Sequence, residues 1–459
     1  MINKNKLVIF VILLAYVFFA TGCKKFLDKK QDAATVVPSN LHDLQALMDN
    51  GLQTDYVSPS FSEASSDEFY VTKDIYNSFP AIYQSIYTWR SFVPAPNSSN
   101  DWGDAYHAIY YDNLVLDVIK SISRNDKNSV EWDNIKGTAL FFRAYHFLNL
   151  LWQYSKAYDN RTSAKDMGIV LRETSNFNVP SKRATNEDSY RKVIEDIEAS
   201  ILLLPEYAVV LTRPSKGAAY GLLARVYLSM RNYNKALLYA DSALQLNHDL
   251  IDFNNDVDIS GTSLADNAPF KQYNKETILY CSMNMEVDFF TATAFVDSSL
   301  ISLYDTSDLR KIAYFRNNGS DEYYFKGSYS GSPYVNFTGI ATDEMYITRA
   351  ECLIREGEVE KGLQDLNTLL ESRYKSGSFR LLTGMSEKDA LYKVLQERRK
   401  ELLFRGNRWI DIKRFNKEGA DIMLGRDIGG QVFQLKPNSD FYALPIPEDI
   451  IAITGIPQN

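Results

Sequence analysis

Histidine and cysteine are scarce in this 459-residue chain, with four of the first and three of the second. His42, His107, His146 and His248 show no ligand spacing, and neither HExxH nor CxxC occurs, so a zinc site has no support. Walker loops and GxGxxG are also absent, which removes the common nucleotide-binding classes. "GSYSG" at 327–331 has the outline of a nucleophile elbow but carries Tyr329 where a serine is required. "DFNNDVD" at 252–258 alternates oxygen ligands, yet Val257 occupies the position of the EF-hand glycine and Ser263 that of its glutamate. No cofactor and no metal is expected. Basic clusters are lacking too: 50 Lys and Arg face 58 Asp and Glu, which argues against nucleic acid as a partner.

Long apolar runs are nearly missing. One stands at the start, where Lys4 and Lys6 precede 14 residues from Leu7 to Ala20, followed by Thr21, Gly22 and Cys23. These are the three regions of a signal peptide, and the run is shorter than the about 20 residues of a spanning helix. Ala20-Thr21-Gly22-Cys23 resembles a bacterial lipobox, which implies cleavage before Cys23 and its acylation. Residues 1–22 are thus predicted to be a signal peptide and 23–40 a lipidated tether. Losing the two lysines leaves a net charge of −10. The next greasiest stretch, "ALFFRAYHFLNLLW", is interrupted by Arg143 and His146. Cys281 and Cys352 are too few for a disulfide framework; burial is expected, and whether they pair is left open.

What is abundant is helical periodicity. In "AAYGLLARVYLSMRNYNKALLYADSALQL", 218–246, Leu222, Leu223, Val226, Tyr227 and Met230 share one face. Asn232 breaks the run, and Leu237, Ala240 and Leu244 mark a second face. Tyr220, Leu223, Ala224, Tyr227, Tyr233, Ala236 and Ala243 follow tetratricopeptide spacing, with weaker echoes at 138–154 and 343–370. A single hairpin cannot bury its own face, so several must stack. The fold expected is mostly α: a tetratricopeptide-like solenoid of helical hairpins, about 101–156, 186–248 and 341–417, within one domain over 41–459. Polar segments of about 55–100 and 250–340, rich in Tyr, Ser, Asn, Asp and Gly, read as insertions forming a ligand face. In 386–406, Ser386 is the expected N-cap and Gly406 the expected C-cap.

"LQERRKELLFRGNRWIDIKRF" at 395–415 resembles the signature of the SusD/RagB family, surface lipoproteins of Bacteroidetes nutrient-uptake systems. "NDWGDAYHAIYYDNLVLDVI", with its Tyr-rich face and Asn113, "GTALFFRAYHFLNLLWQY", "YDTSDLRK", "DEMYITRAECLIREG" and "YALPIPEDI" fall in family order. The signature reads as fold rather than chemistry. Glu401 and Arg405 are spaced as an i,i+4 pair, Trp409 and Phe415 read as core anchors, and Arg408 and Asp411 as locks on the following turn. The resemblance implies an outer-membrane lipoprotein facing the exterior, which binds an oligosaccharide and hands it to a SusC-like TonB-dependent transporter.

The affirmative chemical signal is aromatic, with 30 Tyr, 25 Phe and five Trp. A flat ring beside Asp, Asn or Arg suits a sugar, whose C–H face is apolar and whose rim is polar. Trp102, Tyr329 and Tyr334 are candidate ligand contacts, and the family's site region adds Asp67, Trp89 and Arg90. No catalytic residue is assigned. The alternatives are a surface glycoside hydrolase using Asp67-Glu68, Asp321-Glu322 or Asp343-Glu344, a peptide-binding protein, and a repeat scaffold binding only proteins.

Overall fold

The computed structural model describes residues 38–51, 57–91, 100–260, 268–284, 293–317 and 319–459. The expected signal peptide, Cys23 and nearly all of the tether lie outside the described residues, as do Ser263 and parts of both insertions. Leu41–Asn459 form one compact unit.

That unit is mostly helical. Its longer helices are α1 (Leu41–Met48), α2 (Asp101–Val118), α3 (Ser129–Tyr154), α4 (Asn186–Ile201), α5 (Lys216–Ser229) and α6 (Tyr233–Leu246). They continue with α7 (Thr342–Arg355), α8 (Val359–Glu371), α9 (Glu387–Glu401), α10 (Arg408–Lys417) and α11 (Glu448–Thr454). From α2 to α8 each helix packs on the next, and α9 returns onto α7. The long segment between α6 and α7 leaves the stack without interrupting it, since α6 lies directly against α7.

Local chemistry sets the boundaries. Thr185, Ser215, Asn232 and Ser386 cap α4, α5, α6 and α9, each accepting the amide N–H three residues on. Ala224, Ala236, Ala240 and Ala243 are fully buried, which lets the α5–α6 hairpin close. At α8 a Cβ on Gly362 would lie 2.8 Å from the Ala350 carbonyl of α7, so only glycine permits that approach.

The insertions carry short elements. Segment 57–91 holds three brief helices and the strand Phe69–Tyr70, paired with Phe295–Val296. Three two-stranded ribbons matter for position: Met167–Val170 with Arg183–Thr185, Thr277–Leu279 with Ile340–Ala341, and Leu424–Ile428 with Gln431–Leu435. Cys281 and Cys352 are buried thiols that are not joined in a disulfide.

The signature segment differs from its expected shape. The helix capped by Ser386 stops at Glu401, and Phe404 and Gly406 take left-handed backbone, φ 55° and 74°, to turn the chain into α10. Glu401 and Arg405 do not pair with each other. Glu401 accepts from Arg310 at 2.8 Å and from Arg373 at 2.7 Å, while Arg405 meets Asp343 at 2.8 Å, all fully buried. Arg310 also binds Asp308 and Glu397, and Arg414 clamps Glu351. The i,i+4 spacing allows a surface or inter-helix pair, and these charges reach across elements instead. Trp409 and Phe415 are core residues.

Candidate functional site

α2 brings Trp102, Tyr106, Ile109, Tyr110 and Asn113 onto one face, and that face is one wall of a cleft of about 230 Å³. The opposite wall is the 171–181 connection of the Met167–Val170 and Arg183–Thr185 ribbon, contributing Arg172, Thr174, Ser175, Asn176, Phe177 and Ser181. Ile450, Thr454 and Ile456, in and just after α11, close the third side. A second hollow, of about 440 Å³, lies beside the α5–α6 turn and is lined mainly by asparagines, Tyr158 and Tyr233. Only the first combines a continuous aromatic wall with a polar rim.

The cleft is held rigidly. The Tyr106 hydroxyl donates to the Val170 carbonyl at 2.7 Å and accepts from the Val170 N–H at 2.9 Å, tying α2 to the ribbon. Burial pushes the Tyr106 phenol well above its ordinary pKa, so it stays a donor. Asn113 donates to the Arg172 carbonyl at 2.7 Å and accepts from Arg143, whose guanidinium is fixed on Asp196. Asp117 accepts from the Thr174 hydroxyl at 3.0 Å and from the Ser175 N–H and hydroxyl, each at 2.9 Å. Burial opposes ionisation of Asp117, but the Ser175 N–H, Lys120 and those hydroxyls outweigh it and lower its pKa to about 2.

Tyr110 stacks on Phe177 at 4.7 Å, while Trp102 is buried and lies 4.9 Å from Tyr106 at a 45° tilt, backing the wall from within. Phe177 is 77% exposed, so the protein hardly covers it beyond Tyr110. Among the described residues no carboxylate lines the cleft.

Of the residues predicted from sequence, the cleft contains Trp102 alone. Asp67 is held by Arg408, with oxygens 2.6 and 2.8 Å from the guanidinium, and Arg399 lies 3.4 Å away. Burial opposes its ionisation, but Arg408 and Arg399 keep Asp67 charged well below the usual carboxylate range. Trp89 is buried in left-handed backbone, φ 53°, its indole N–H on the Ser65 carbonyl and the Arg426 guanidinium 5.2 Å from its ring. Arg90 is exposed, bonds Thr88 and Tyr76, and covers Phe433. These three serve the 57–91 segment and its seam with the 424–435 ribbon. Tyr329 is fully buried, donating its hydroxyl to Glu276 and Asp343, and offers no surface to a ligand. Tyr334 is exposed, in a separate loop. Asp256 and Asp258 of the calcium-like run are engaged by Lys275, and no cluster able to hold a metal occurs among the described residues.

Tyr106, Tyr110, Phe177 and Arg172 were not singled out from sequence. The α2 residues were legible as one face, spaced four, seven, eight and eleven after Trp102. Nothing local announces that Phe177 folds back onto them.

Residues 25–228 match a SusD-like family model described as "Starch-binding associating with outer membrane", and residues 269–449 match the SusD/RagB model, described as "SusD family". The chain belongs to the SusD/RagB family. The first match includes α2 and the 171–181 connection. Solved structures of SusD-like proteins share the fold. A SusD superfamily protein from Bacteroides thetaiotaomicron is 19% identical, with TM-score 0.72 over 92% of this chain and 99% of that one. A SusD-like carbohydrate binding protein from Bacteroides vulgatus is 20% identical, with TM-score 0.64 over 91% and 97%. A laminarin binding SusD-like protein is 16% identical, with TM-score 0.65 over 92% and 99%. Among curated proteins no match was found.

Proposed function

We propose that this SusD-family protein is a glycan receptor of the outer membrane, tethered through acylated Cys23, which captures an oligosaccharide and delivers it to a SusC-like TonB-dependent transporter. The observation that carries the reading is the cleft wall of Tyr106, Tyr110 and exposed Phe177, backed by buried Trp102, beside a rim of hydroxyls and amides. Aromatic faces take the C–H side of a pyranose, and Thr174, Ser175, Asn176 and Ser181 can serve its hydroxyls. At about 230 Å³ the cleft is below the ~300–1,000 Å³ of pockets that enclose a drug-sized ligand. It suits one ring or one end of a longer chain. The laminarin-binding relative and the starch-binding description of the family model support a saccharide ligand.

Glycoside hydrolysis needs two carboxyl groups flanking the bond, and the cleft lining has none among the described residues. Capture without turnover is therefore the reading. Release to the transporter would follow from different affinities in open and closed arrangements of the pair. No helix among the described residues is long and apolar enough to span a membrane.

The test is calorimetric titration of the purified protein with a panel of oligosaccharides, alongside co-purification with a co-expressed SusC-like barrel. Saturable binding that weakens about tenfold in Phe177→Ala is expected. Chain shortening of any glycan, or binding indifferent to the cleft rings, would overturn the assignment.

A further inference from the structure

Among the described residues Arg172 is the cation of the cleft lining, and no carboxylate answers it. Its Nη1 donates to the Val179 carbonyl and its Nη2 to the Ser181 hydroxyl at 2.7 Å, two neutral acceptors. A guanidinium carries five N–H donors, so others remain for a ligand. Among the described residues Arg172 forms no salt bridge. The nearby acids are engaged elsewhere: Glu173 with Lys192 at 2.8 Å, and Asp117 with Lys120 at 2.9 Å and the 174–175 turn. Arg183, on the same ribbon, also meets carbonyls only, those of Gly168, Tyr154 and Pro457.

Elsewhere in the described residues buried arginines are met in two ways: Arg426 and half-buried Arg231 donate to backbone carbonyls, whereas others are paired with acids. Arg143, Arg225, Arg405 and Arg414 are each closed by a carboxylate at 2.5–2.8 Å. In a chain of net charge −8, Arg172, a cleft-lining arginine with no acid among the described residues to pair it, makes a local positive field in an aromatic cleft. Such a field repels no anionic ligand, and a planar guanidinium with free N–H groups matches an oxyanion in geometry.

We infer that the cleft takes an acidic saccharide, whose carboxylate or ester oxyanion binds Arg172 while its ring stacks on Tyr110 and Phe177. The inference rests on the glycan-binding reading and narrows it to a substrate class. Arg172 is then the residue that selects charge, and the aromatic wall supplies affinity common to any pyranose. The bonds to Val179 and Ser181 hold the guanidinium in place for that purpose.

The experiment measures dissociation constants of the full-length protein for a short oligogalacturonate, its methyl ester, the matching neutral galactan oligomer and a sulfated galactan oligomer. The acid is expected to bind about tenfold tighter than its ester, a preference that falls with added salt. In Arg172→Gln the acid-to-ester ratio should collapse toward one. Because the ratio is read, a general loosening of the 171–181 connection, which weakens both ligands alike, does not imitate the result. Binding of the sulfated oligomer as well as the uronate identifies any oxyanion as sufficient; binding of the uronate alone identifies the carboxylate. Equal or weaker binding of the acids overturns the inference and leaves glycan binding intact. A preference that survives in Arg172→Gln also overturns it. If none of these sugars binds while a neutral glucan does, the inference falls alone; if no saccharide binds at all, both readings fall.

Discussion

The ring of Tyr110 lies against that of Phe177, centroids 4.7 Å apart and planes 20° from parallel, joining α2 to a loop more than sixty residues downstream. Phe177 contributes little to the core, being 77% exposed, so its removal separates ligand binding from folding. Phe177→Ala should leave the melting temperature within the usual scatter of surface substitutions. It should weaken oligosaccharide binding about tenfold, or ~1.4 kcal/mol. Calorimetry on one preparation gives both numbers. An unchanged dissociation constant would move the site away from this cleft.

Gly168 sets the distance between the ribbon and α4. A Cβ there would stand 2.2 Å from the Ser189 hydroxyl and 2.4 Å from the Thr185 carbonyl. The hydroxyl can rotate away but the carbonyl cannot, so Gly168→Ala must shift the strand that carries Val170, the partner of Tyr106. We expect a loss of about 1–3 kcal/mol in chemical denaturation together with weaker glycan binding. Unaltered stability would mean that the ribbon moves freely, contrary to its bonding.

Why some of this was readable and some not follows from range. The α5–α6 hairpin is written in local periodicity, and the caps at Ser386 and Asn232 need only three-residue spacing. The α2 face could be drawn from the same rule. Asp67 and Trp89 looked like ligand contacts because they sit in a polar, aromatic segment, but their partners Arg408 and Arg426 lie over three hundred residues away. Tyr329 looked available in "GSYSG" for the same reason, and Glu276 and Asp343 draw it inside. Glu401 and Arg405 illustrate the limit from the other side: a permitted helical pair lost to stronger distant partners. Long-range ionic pairing leaves no periodic trace, so the loop-rich half of the molecule was the less legible.

Asp67 and Arg408 together fasten the 57–91 segment to the start of α10. Arg408 keeps about a tenth of its side-chain surface exposed and Asp67 about a quarter, so solvent screens the pair in part. Asp67→Ala leaves the guanidinium without its main counter-charge. A loss of about 2 kcal/mol is expected, below that of a fully buried pair. Asp67→Ala with Arg408→Met should recover part of it. If the single variant is neutral, the seam is held by packing rather than by charge.

Lys413 offers a pH-dependent readout. It is buried, donates to the Trp152 and Ser155 carbonyls at 2.6 Å, and burial pushes its amine down to about 7 from an ordinary 10.5. Between those values the unfolded chain binds the proton and the folded chain does not, so unfolding becomes harder as pH rises. Below about 7 both states are charged and the folded one bears the full desolvation cost. Against Lys413→Met as reference, the wild type should gain stability from pH 7 to pH 9, by at most ~1.4 kcal/mol per pH unit. Urea denaturation at three pH values measures the slope. A flat difference would mean that the amine keeps its proton inside the fold, held by the two carbonyls.

Attachment is tested at Cys23. A thioether-linked diacylglycerol and an N-terminal acyl chain bury tens of methylenes, each worth about 0.8 kcal/mol, so exchange out of the bilayer would be negligible. The wild type should sediment with outer membranes, and its first mature peptide should carry the lipid mass on Cys23. Cys23→Ser removes the thiol that accepts the lipid, and the chain should accumulate with its leader uncut or appear in the soluble fraction. Fractionation identical to wild type, with residue 23 unmodified in both, would separate this chain from the lipid-anchored mode of presentation while leaving the cleft and its predicted ligand untouched.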